Sequence, residues 1–283
     1  MPLRTVVSLT LQGGIRLAKK GVLERLRAAE PVLSLGLRNA RTSEIVRLAH
    51  GAGFGVVWID LEHSSIPVDD AAQMAATALD LGMEGWVRTP EREYGLIGRL
   101  LDAGVTGIIA PRIETADEAR QLVAAARFPP RGQRSQIALL PQAGYRRMPT
   151  AELIAVAERA TSVHVLLESA KGIRSAEAIA TVDGIDMLHV GVNDLSVDLG
   201  HVGNPGHPEV IDACLQVIAA SKRQGKLCAV GGLADAKQIQ QLLAAGAAPL
   251  VFAAIDTDLL SAGLGTRAQE WRTHLRPDEK SEP

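Results

Sequence analysis

The sequence has few of the features that mark secreted, thiolate-metal or membrane proteins. Its 283 residues include only two cysteines, Cys214 and Cys228, and their spacing matches no zinc or disulfide framework. No uninterrupted apolar run approaches the roughly 20 residues that span a bilayer. These absences predict a cytoplasmic protein that has no membrane partner.

The sequence also has little excess of positive or negative charge. Lys and Arg number 30 against 32 Asp and Glu, so the formal charge is -2, and no basic face suggests a nucleic-acid partner. A small molecule is the expected partner. With 47% hydrophobic residues, the chain can bury a full core, and barrels of this length commonly form one domain. We predict one domain over 1–283, with a helical extension over about 1–30 and a polar tail over about 266–283.

Eight short apolar runs rich in β-branched residues alternate with segments of helical apolar spacing. Strands that alternate with helices pair in parallel through right-handed crossovers. This pattern predicts an α/β fold of the (β/α)8 TIM barrel type, with its chemistry at the C-terminal ends of the strands. An open doubly wound sheet is the alternative, although no Gly-x-Gly-x-x-Gly follows any strand. The runs are 32–37, 55–60, 85–89, 106–111, 162–168, 186–192, 226–231 and 249–256.

The connection between the fourth and fifth predicted strands, about 112–161, is far longer than the others. Long connections in compact domains are usually functional or disordered. We predict one extra helix here and a loop that covers the site.

Several predicted strands end on charged or polar side chains. Because the strands of a parallel barrel end at one mouth, these side chains are expected to converge. Each also has a structural explanation, as a helix-capping acid, a surface histidine or an ion-pair partner, but together these explanations need several coincidences. The second strand supplies Asp60, Glu62 and His63, the third Arg88, the fifth Glu168, and the sixth Asn193 and Asp194.

Carboxylates without a nearby cysteine suit a hard divalent ion such as Mg2+ or Mn2+, with Co2+ as a further option. Such an ion can chelate a 2-oxo acid and act as a Lewis acid while an enolate develops. Arg88 would stabilise the enolate oxygen, and His63 is the natural general base. Glu62 or Asp60 would position a water molecule or tune the imidazole.

Seven motifs resemble, in order, the HpcH/HpaI class II aldolase family, which includes 4-hydroxy-2-oxoheptanedioate and 2-dehydro-3-deoxyglucarate aldolases. The resemblance covers about residues 20–265. It implies a metal-dependent barrel of the phosphoenolpyruvate/pyruvate type that reversibly cleaves 4-hydroxy-2-oxo acids to pyruvate and an aldehyde, as in aromatic compound catabolism. It also implies a homo-oligomer, a hexamer or trimer of dimers, whose last helix is exchanged between subunits. The motifs are WIDLEHSSIPVDD, VRTP, LLDAGVTGIIAPRIETADEAR, FPPRGQRS, LLES, GVNDLSVDLGHVGNPGHPEV and AIDTDLL.

The resemblance also implies roles for single residues. Glu168 and Asp194 would hold the metal, and the backbone at Asn193 would help to hold the pyruvyl carboxylate. His63 would act on the aldol hydroxyl. Asp102, in LLDAG, would raise the basicity of His63, although a helix end just before the fourth strand lies at the far end of a regular barrel.

The chain departs from the family pattern near the substrate. Leu166 replaces a glutamine that contacts the substrate, and Val192 replaces a loop-stiffening proline. A pocket with Leu166 should favour a less polar or differently oriented donor. Arg146 and Arg147 could bind an acceptor carboxylate or could simply be solvated. Three activities stay open at this point: the aldolase, a related lyase or decarboxylase acting on oxaloacetate or citramalyl- or malyl-type substrates, and a non-catalytic ligand-binding barrel.

Overall fold

A computed structural model describes residues 21–275 of the chain. Within them, the eight predicted strands form one parallel sheet in the order β7-β6-β5-β4-β3-β2-β1-β8. Both faces of most strands are buried, which explains why the strands read as continuous apolar runs rather than as alternating patterns. The strands are β1 Val32–Leu37, β2 Val56–Asp60, β3 Glu84–Arg88, β4 Gly107–Ala110, β5 Ser162–Leu167, β6 Met187–Gly191, β7 Leu227–Gly231 and β8 Leu250–Ile255.

The sheet curls into a nearly closed barrel. β1 pairs with both β2 and β8, and the remaining gap lies between β7 and β8. There the amide of Ala248 donates a hydrogen bond of 2.7 Å to the carbonyl of Cys228. The predicted (β/α)8 TIM barrel is therefore confirmed.

Helices follow the strands and pack around the sheet. A capping box of Thr115 and Glu118 starts α5, and Gly246, with φ of +109°, ends α11. None of the helices within 21–275 combines the length and apolarity needed to cross a membrane. The helices are α1 Val22–Arg27, α2 Glu44–Gly51, α3 Val68–Asp80, α4 Ile97–Asp102, α5 Ala116–Ala126, α6 Thr150–Arg159, α7 Ala170–Arg174, α8 Ala176–Ala180, α9 Val192–Asp198, α10 Pro208–Arg223, α11 Ala236–Ala245 and α12 Asp256–His274.

A layer of aromatic and imidazole rings fills the middle of the barrel. His164 and His189 are buried and stack on each other, with a ring nitrogen of each 3.0 Å apart. Trp86 meets His164 edge to face, with ring centroids 4.4 Å apart. Burial lowers the pKa of His189 to about 3 and lowers that of His164 well below its ordinary value. The rings of this layer are therefore uncharged, and the layer separates the two ends of the barrel.

The long connection between β4 and β5 carries α5 and the predicted extra helix, α6. Its loop, 127–149, packs against the end of the barrel where the strands begin. Arg134 pairs with Asp102, and Gln142 donates hydrogen bonds to the carbonyls of Leu101 and Val105. Because these groups precede β4, the prediction that this loop covers the site of its own chain is wrong.

Helix α12 continues to His274, into the segment predicted to be a polar tail from about residue 266. Of the predicted N-terminal extension, the structure describes only the part from residue 21 onward, which contains α1. Residues 1–20 and 276–283 lie outside the described chain.

Candidate active site

The last rung of the ladder between β2 and β3 places Asp60 beside Arg88. Arg88 donates from Nε to Oδ1 of Asp60 at 2.9 Å and from Nη2 to Oδ2 at 2.5 Å. This bidentate geometry fixes the plane of the guanidinium. Its face lies over Trp58, with 5.6 Å between Cζ and the ring centroid.

The carboxylate of Asp60 holds the loop after β2 as well as Arg88. Its Oδ1 accepts hydrogen bonds from the amides of Glu62 and His63, each at 3.1 Å. Burial alone would raise the pKa of Asp60, but the hydrogen bonds and charge of Arg88, together with Arg38, hold it below the ordinary value. Asp60 therefore stays ionised and orients the groups around it.

Three further carboxylates, those of Glu62, Glu168 and Asp194, crowd the same mouth. Burial raises the pKa of Glu62, partly offset by the charge of Arg88. Burial also raises the pKa of Glu168 to about 7, and the charges of Glu62 and Asp194 add to this effect. Arg88, whose Nη1 lies 3.0 Å from Oε2 of Glu62, cannot neutralise all three carboxylates. The site thus carries surplus negative charge.

These carboxylates fit a hard divalent cation. Glu168 accepts the amide of Arg112 through Oε1 at 3.1 Å, which leaves Oε2 free for a ligand. A Cβ on Gly191 would stand 3.1 Å from that oxygen, so the glycine keeps space beside it. Oε2 of Glu62 is buried, and Nη1 of Arg88 lies 3.0 Å from it without the geometry of a hydrogen bond. Glu168 and Asp194 are the natural ligands, and oxygen donors favour Mg2+ or Mn2+.

His63 and the start of α9 complete the mouth. The His63 side chain is 55% exposed, and its Nε2 lies 3.7 Å from Oε2 of Glu62. Asn193 and Asp194 are exposed in the first turn of α9, directly after β6. The structure therefore brings Asp60, Glu62, Arg88, Glu168 and Asp194 together, with His63 at the edge.

Asp102 lies elsewhere. It ends α4 before β4 begins, and its Oδ1 accepts a 2.8 Å hydrogen bond from the buried Arg134. Within 21–275 of one chain, this carboxylate is therefore at the opposite end of the barrel from His63. Arg146 and Arg147 are on the same loop as Arg134, and Arg146 donates from Nε to the carbonyl of Ala143 at 3.3 Å.

Leu166 and Val192 are both buried. Leu166 belongs to the apolar cluster inside the barrel that includes Trp58 and Trp86. A Cβ on Gly191 would stand 3.3 Å from Cδ1 of Leu166, which puts this side chain just below the carboxylate of Glu168. Leu166, at the position predicted to contact substrate, therefore makes this part of the site apolar.

Two residues of the mouth were missed in the sequence. Arg38 follows β1 and donates from Nε to Oδ2 of Asp60 at 2.7 Å. Asp256 follows β8, is buried, and accepts the amides of Arg38, Asn39 and Ala40. The rule that located the other site residues, a charged residue just after a strand, would have found both.

A second group with metal-ligand chemistry, His201, His207 and Glu209, lies in the loop before α10. His201 Nε2 pairs with Oε2 of Glu209 at 2.8 Å, and the two imidazoles stack. However, Nδ1 of His207 accepts the amide of Glu209 and caps α10. Accepting at Nδ1 puts the proton of a neutral ring on Nε2, which then cannot bind a metal. These residues are accounted for by the loop structure.

Comparison with known proteins decides the family. The model of the HpcH/HpaI aldolase/citrate lyase family matches residues 37–262. The chain belongs to this family. The resemblance predicted from the seven motifs is confirmed, and this HpcH/HpaI protein is a lyase.

Individual relatives agree. The HpcH/HpaI protein is 40% identical over 210 residues to 4-hydroxy-4-methyl-2-oxoglutarate aldolase tasA of Hapsidospora irregularis, covering 74% of this chain and 78% of that protein. It is 34% identical over 252 residues to 4-hydroxy-2-oxo-heptane-1,7-dioate aldolase of Salmonella typhimurium, covering 87% and 92%. The crystal structure of an HpcH/HpaI aldolase from Desulfitobacterium hafniense superposes with a TM-score of 0.83 at 25% identity, covering 91% and 98%.

Proposed function

We propose that this protein is a class II aldolase that reversibly cleaves a 4-hydroxy-2-oxo acid to pyruvate, or a related 2-oxo acid, and an aldehyde. The observation that carries the proposal is the Arg88 guanidinium, fixed by Asp60 beside three carboxylates. Cleavage of the bond between carbons 3 and 4 needs a base for the 4-hydroxyl group and a positive group beside the oxygen that becomes an enolate. The mouth of the barrel supplies both.

Arg88 carries the positive charge. Burial would lower the pKa of its guanidinium, but the hydrogen bonds to Asp60 and the charges of Glu62 and Glu168 raise the pKa above the ordinary value. Arg88 therefore remains charged while its remaining donor, Nη1, faces the carboxylates. A group in this position stabilises negative charge on a substrate oxygen without reorganising.

His63 is the proposed base. Its imidazole is exposed to the mouth and is close to Glu62, and histidine is the side chain that most often acts as a general base. Asp60 orients the His63 backbone through its amide. The backbone at Asn193 is the proposed contact for the 2-oxo acid carboxylate.

Glu168 and Asp194 would hold a divalent cation, Mg2+, Mn2+ or Co2+. When bound, this cation supplies a Lewis acid beside the keto group of the substrate. The surplus carboxylate charge and the raised pKa of Glu168 support this assignment.

The exposed surface supports an oligomer. Helix α12 leaves the barrel with Leu259, Leu260, Leu264 and Trp271 exposed, while Leu33 and Val251 are exposed on the outer face of β1 and β8. In a TIM barrel, the helix after the eighth strand normally covers this face. We propose that α12 of a second copy covers it, in a hexamer or trimer of dimers. Both cysteines are free and buried, which suits the proposed cytoplasmic location.

Exchange of the methyl protons of pyruvate in D2O tests the function. The purified protein, with Mn2+ and with a chelator, is incubated with pyruvate, and exchange is followed by NMR. We expect exchange that depends on the metal. No exchange with Mg2+, Mn2+ or Co2+ would contradict the proposal.

A separate comparison tests the role of His63. His63→Ala should slow aldol cleavage by about 10²-fold or more, since a general base contributes that much. Decarboxylation of oxaloacetate has no hydroxyl proton to remove, and it should be affected less. Equal losses in the two reactions would show that His63 does not act on the aldol hydroxyl.

A further inference from the structure

Arg38 is a second guanidinium at the mouth, and the proposed chemistry does not use it. It directly follows β1, and its side chain is 32% exposed. Its Nε donates to Oδ2 of Asp60 at 2.7 Å. Its two Nη atoms have no hydrogen-bond partner among residues 21–275, so they remain available to a ligand.

The position of Arg38 is fixed at both ends of its side chain. At the backbone, the buried carboxylate of Asp256 accepts the amide of Arg38 at 2.9 Å and that of Ala40 at 2.7 Å. At the head group, Asp60 holds Nε. A guanidinium held in this way loses little further conformational freedom when it binds an anion.

The head group of Arg38 has fewer carboxylate partners than that of Arg88. One carboxylate, that of Asp60, faces the guanidinium groups of both Arg38 and Arg88. Arg88 has a second carboxylate partner, Glu62, at 3.0 Å. Among residues 21–275, no second carboxylate contacts the guanidinium of Arg38. Its free Nη donors on the β1 side are therefore suited to an anion that arrives with the substrate.

The order of the strands gives the direction in which that anion lies. Around the mouth, Glu168 and Asp194 follow β5 and β6, Arg88 ends β3, His63 follows β2, and Arg38 follows β1. If the 2-oxo acid half lies between Arg88 and the cation ligands, and His63 faces the 4-hydroxyl group, the carbons beyond carbon 4 run toward β1. Arg38 lies on that side with both Nη atoms free of partners among residues 21–275.

We infer that Arg38 binds a carboxylate on the aldehyde-side half of the substrate, so that the preferred substrates are 4-hydroxy-2-oxo diacids. The two Nη donors match the two oxygens of a carboxylate. This inference rests on the proposed aldolase function. It makes Arg38 a specificity-determining residue that takes no part in the bond cleavage.

Two diacids and their monoacid counterparts test the inference. The diacids are 4-hydroxy-2-oxoheptanedioate and 4-hydroxy-4-methyl-2-oxoglutarate; the monoacids are 4-hydroxy-2-oxoheptanoate and 4-hydroxy-4-methyl-2-oxopentanoate. We expect wild-type kcat/KM to be at least about 10-fold higher for one diacid than for its monoacid. Arg38→Met should lower kcat/KM for that diacid about 10- to 100-fold more than for the monoacid, mainly through KM. Arg38→Lys should restore part of the loss.

Arg41→Met is the matched control. Arg41 lies on the same loop, but its Nη atoms already bind the carbonyl of Asn39 at 2.7 Å and Oγ of Ser65 at 2.9 Å. This variant should keep the wild-type preference for the diacid. Loss of that preference in Arg41→Met would show that loop structure, rather than a specific carboxylate contact, sets the preference.

Pyruvate exchange separates failure of this inference from failure of the proposed function. Arg38 also holds Asp60 through Nε, so the rate at which Arg38→Met exchanges pyruvate protons measures the loss that arises from the catalytic groups alone. Because pyruvate lacks the aldehyde-side half, the fall in kcat/KM for the diacid should exceed that loss about 10-fold or more. A wild-type protein without exchange would overturn the aldolase proposal itself. If the wild type exchanges pyruvate protons, two results would overturn only the role of Arg38. One is an equal loss of kcat/KM for diacid and monoacid in Arg38→Met, and the other is no loss for either diacid.

Discussion

The two ends of the barrel both hold arginines paired with carboxylates, but the Arg127 cluster at one end and the carboxylates of the mouth at the other differ in how completely their charges are satisfied. At the end where the strands begin, Arg127 binds Glu158 and Asp186 and also donates to the carbonyls of Thr161 and Gly184. At the end where the strands finish, the buried Oε2 of Glu62 meets Nη1 of Arg88 at 3.0 Å without forming a hydrogen bond, and burial raises the pKa of Glu168 to about 7.

This difference separates structural charge from functional charge. A buried charge is tolerated when hydrogen bonds and a partner compensate it, and it is costly otherwise. The charges of the Arg127 cluster are paired within the protein and need no ligand, so the role of this cluster is structural. The carboxylates at the mouth are not fully compensated, which supports the proposed binding of a cation and a substrate there.

The largest expected effect is on stability, at the satisfied end. Arg127→Met should lower the free energy of unfolding by about 3 to 5 kcal/mol, because it leaves partly buried carboxylates and several carbonyls unpaired. Urea denaturation monitored by circular dichroism measures this change. Arg131→Met is the control, since Arg131 binds the same Glu158 from an exposed position, and it should cost less than about 1 kcal/mol. Equal losses of unfolding free energy in Arg127→Met and Arg131→Met would contradict the structural role of the Arg127 cluster.

At the unsatisfied end, the expected loss is in activity. Arg88→Met should reduce metal-dependent pyruvate exchange by about 10²- to 10³-fold, as for removal of a single oxyanion donor. The folded fraction of Arg127→Met should exchange at the wild-type rate. A rate for Arg88→Met within about tenfold of wild type would contradict its role.

Metal affinity should also distinguish the ends. Glu168→Gln removes one ligand of the proposed site and should weaken Mn2+ binding by about 100-fold or more, measured by titration calorimetry. Glu158→Gln is the same chemical change in the Arg127 cluster and should leave Mn2+ affinity unchanged. If both variants bind Mn2+ like the wild type, Glu168 is not a ligand.

A smaller effect is expected in the layer between the ends. Burial lowers the pKa of His189 to about 3, below the ordinary 6.5, so the unfolded chain binds a proton that the folded chain does not as pH falls below 6.5. Stability is therefore lost on acidification, by up to about 1.4 kcal/mol per pH unit for this residue. In His189→Gln, urea denaturation from pH 6 to 4 should show a shallower loss than in the wild type. Parallel curves for the two proteins would contradict the burial of a neutral imidazole.

Much of the fold could be predicted because it depends on local sequence patterns. All eight strands lie within one residue of their predicted bounds, since β-branched runs alternate with amphipathic segments. The position of the loop 127–149 could not be predicted in this way. It depends on pairs distant in sequence, such as Arg134 with Asp102 and Gln142 with the carbonyl of Leu101. The continuation of α12 through the predicted polar tail could not be predicted either, because this polar segment lacks an apolar stripe.

The site residues could be predicted where a charged side chain directly follows a strand and has an evident chemical role. Asp60, Glu62, Arg88, Glu168 and Asp194 meet at one mouth because parallel strands end together. Arg38 and Asp256 follow the same rule, but in sequence they look like a solvated arginine and a helix-capping acid. Their function depends on contacts between β1, β2 and the start of α12, which no local pattern reveals.

Anomalous diffraction from crystals soaked in Mn2+ tests the central claim most directly, because it locates the cation without assuming an activity. We expect one strong peak at the mouth of the barrel, bound by carboxylate oxygens of both Glu168 and Asp194. A peak found only at His201, His207 and Glu209, or the absence of any peak between Glu168 and Asp194 at saturating Mn2+, would contradict it.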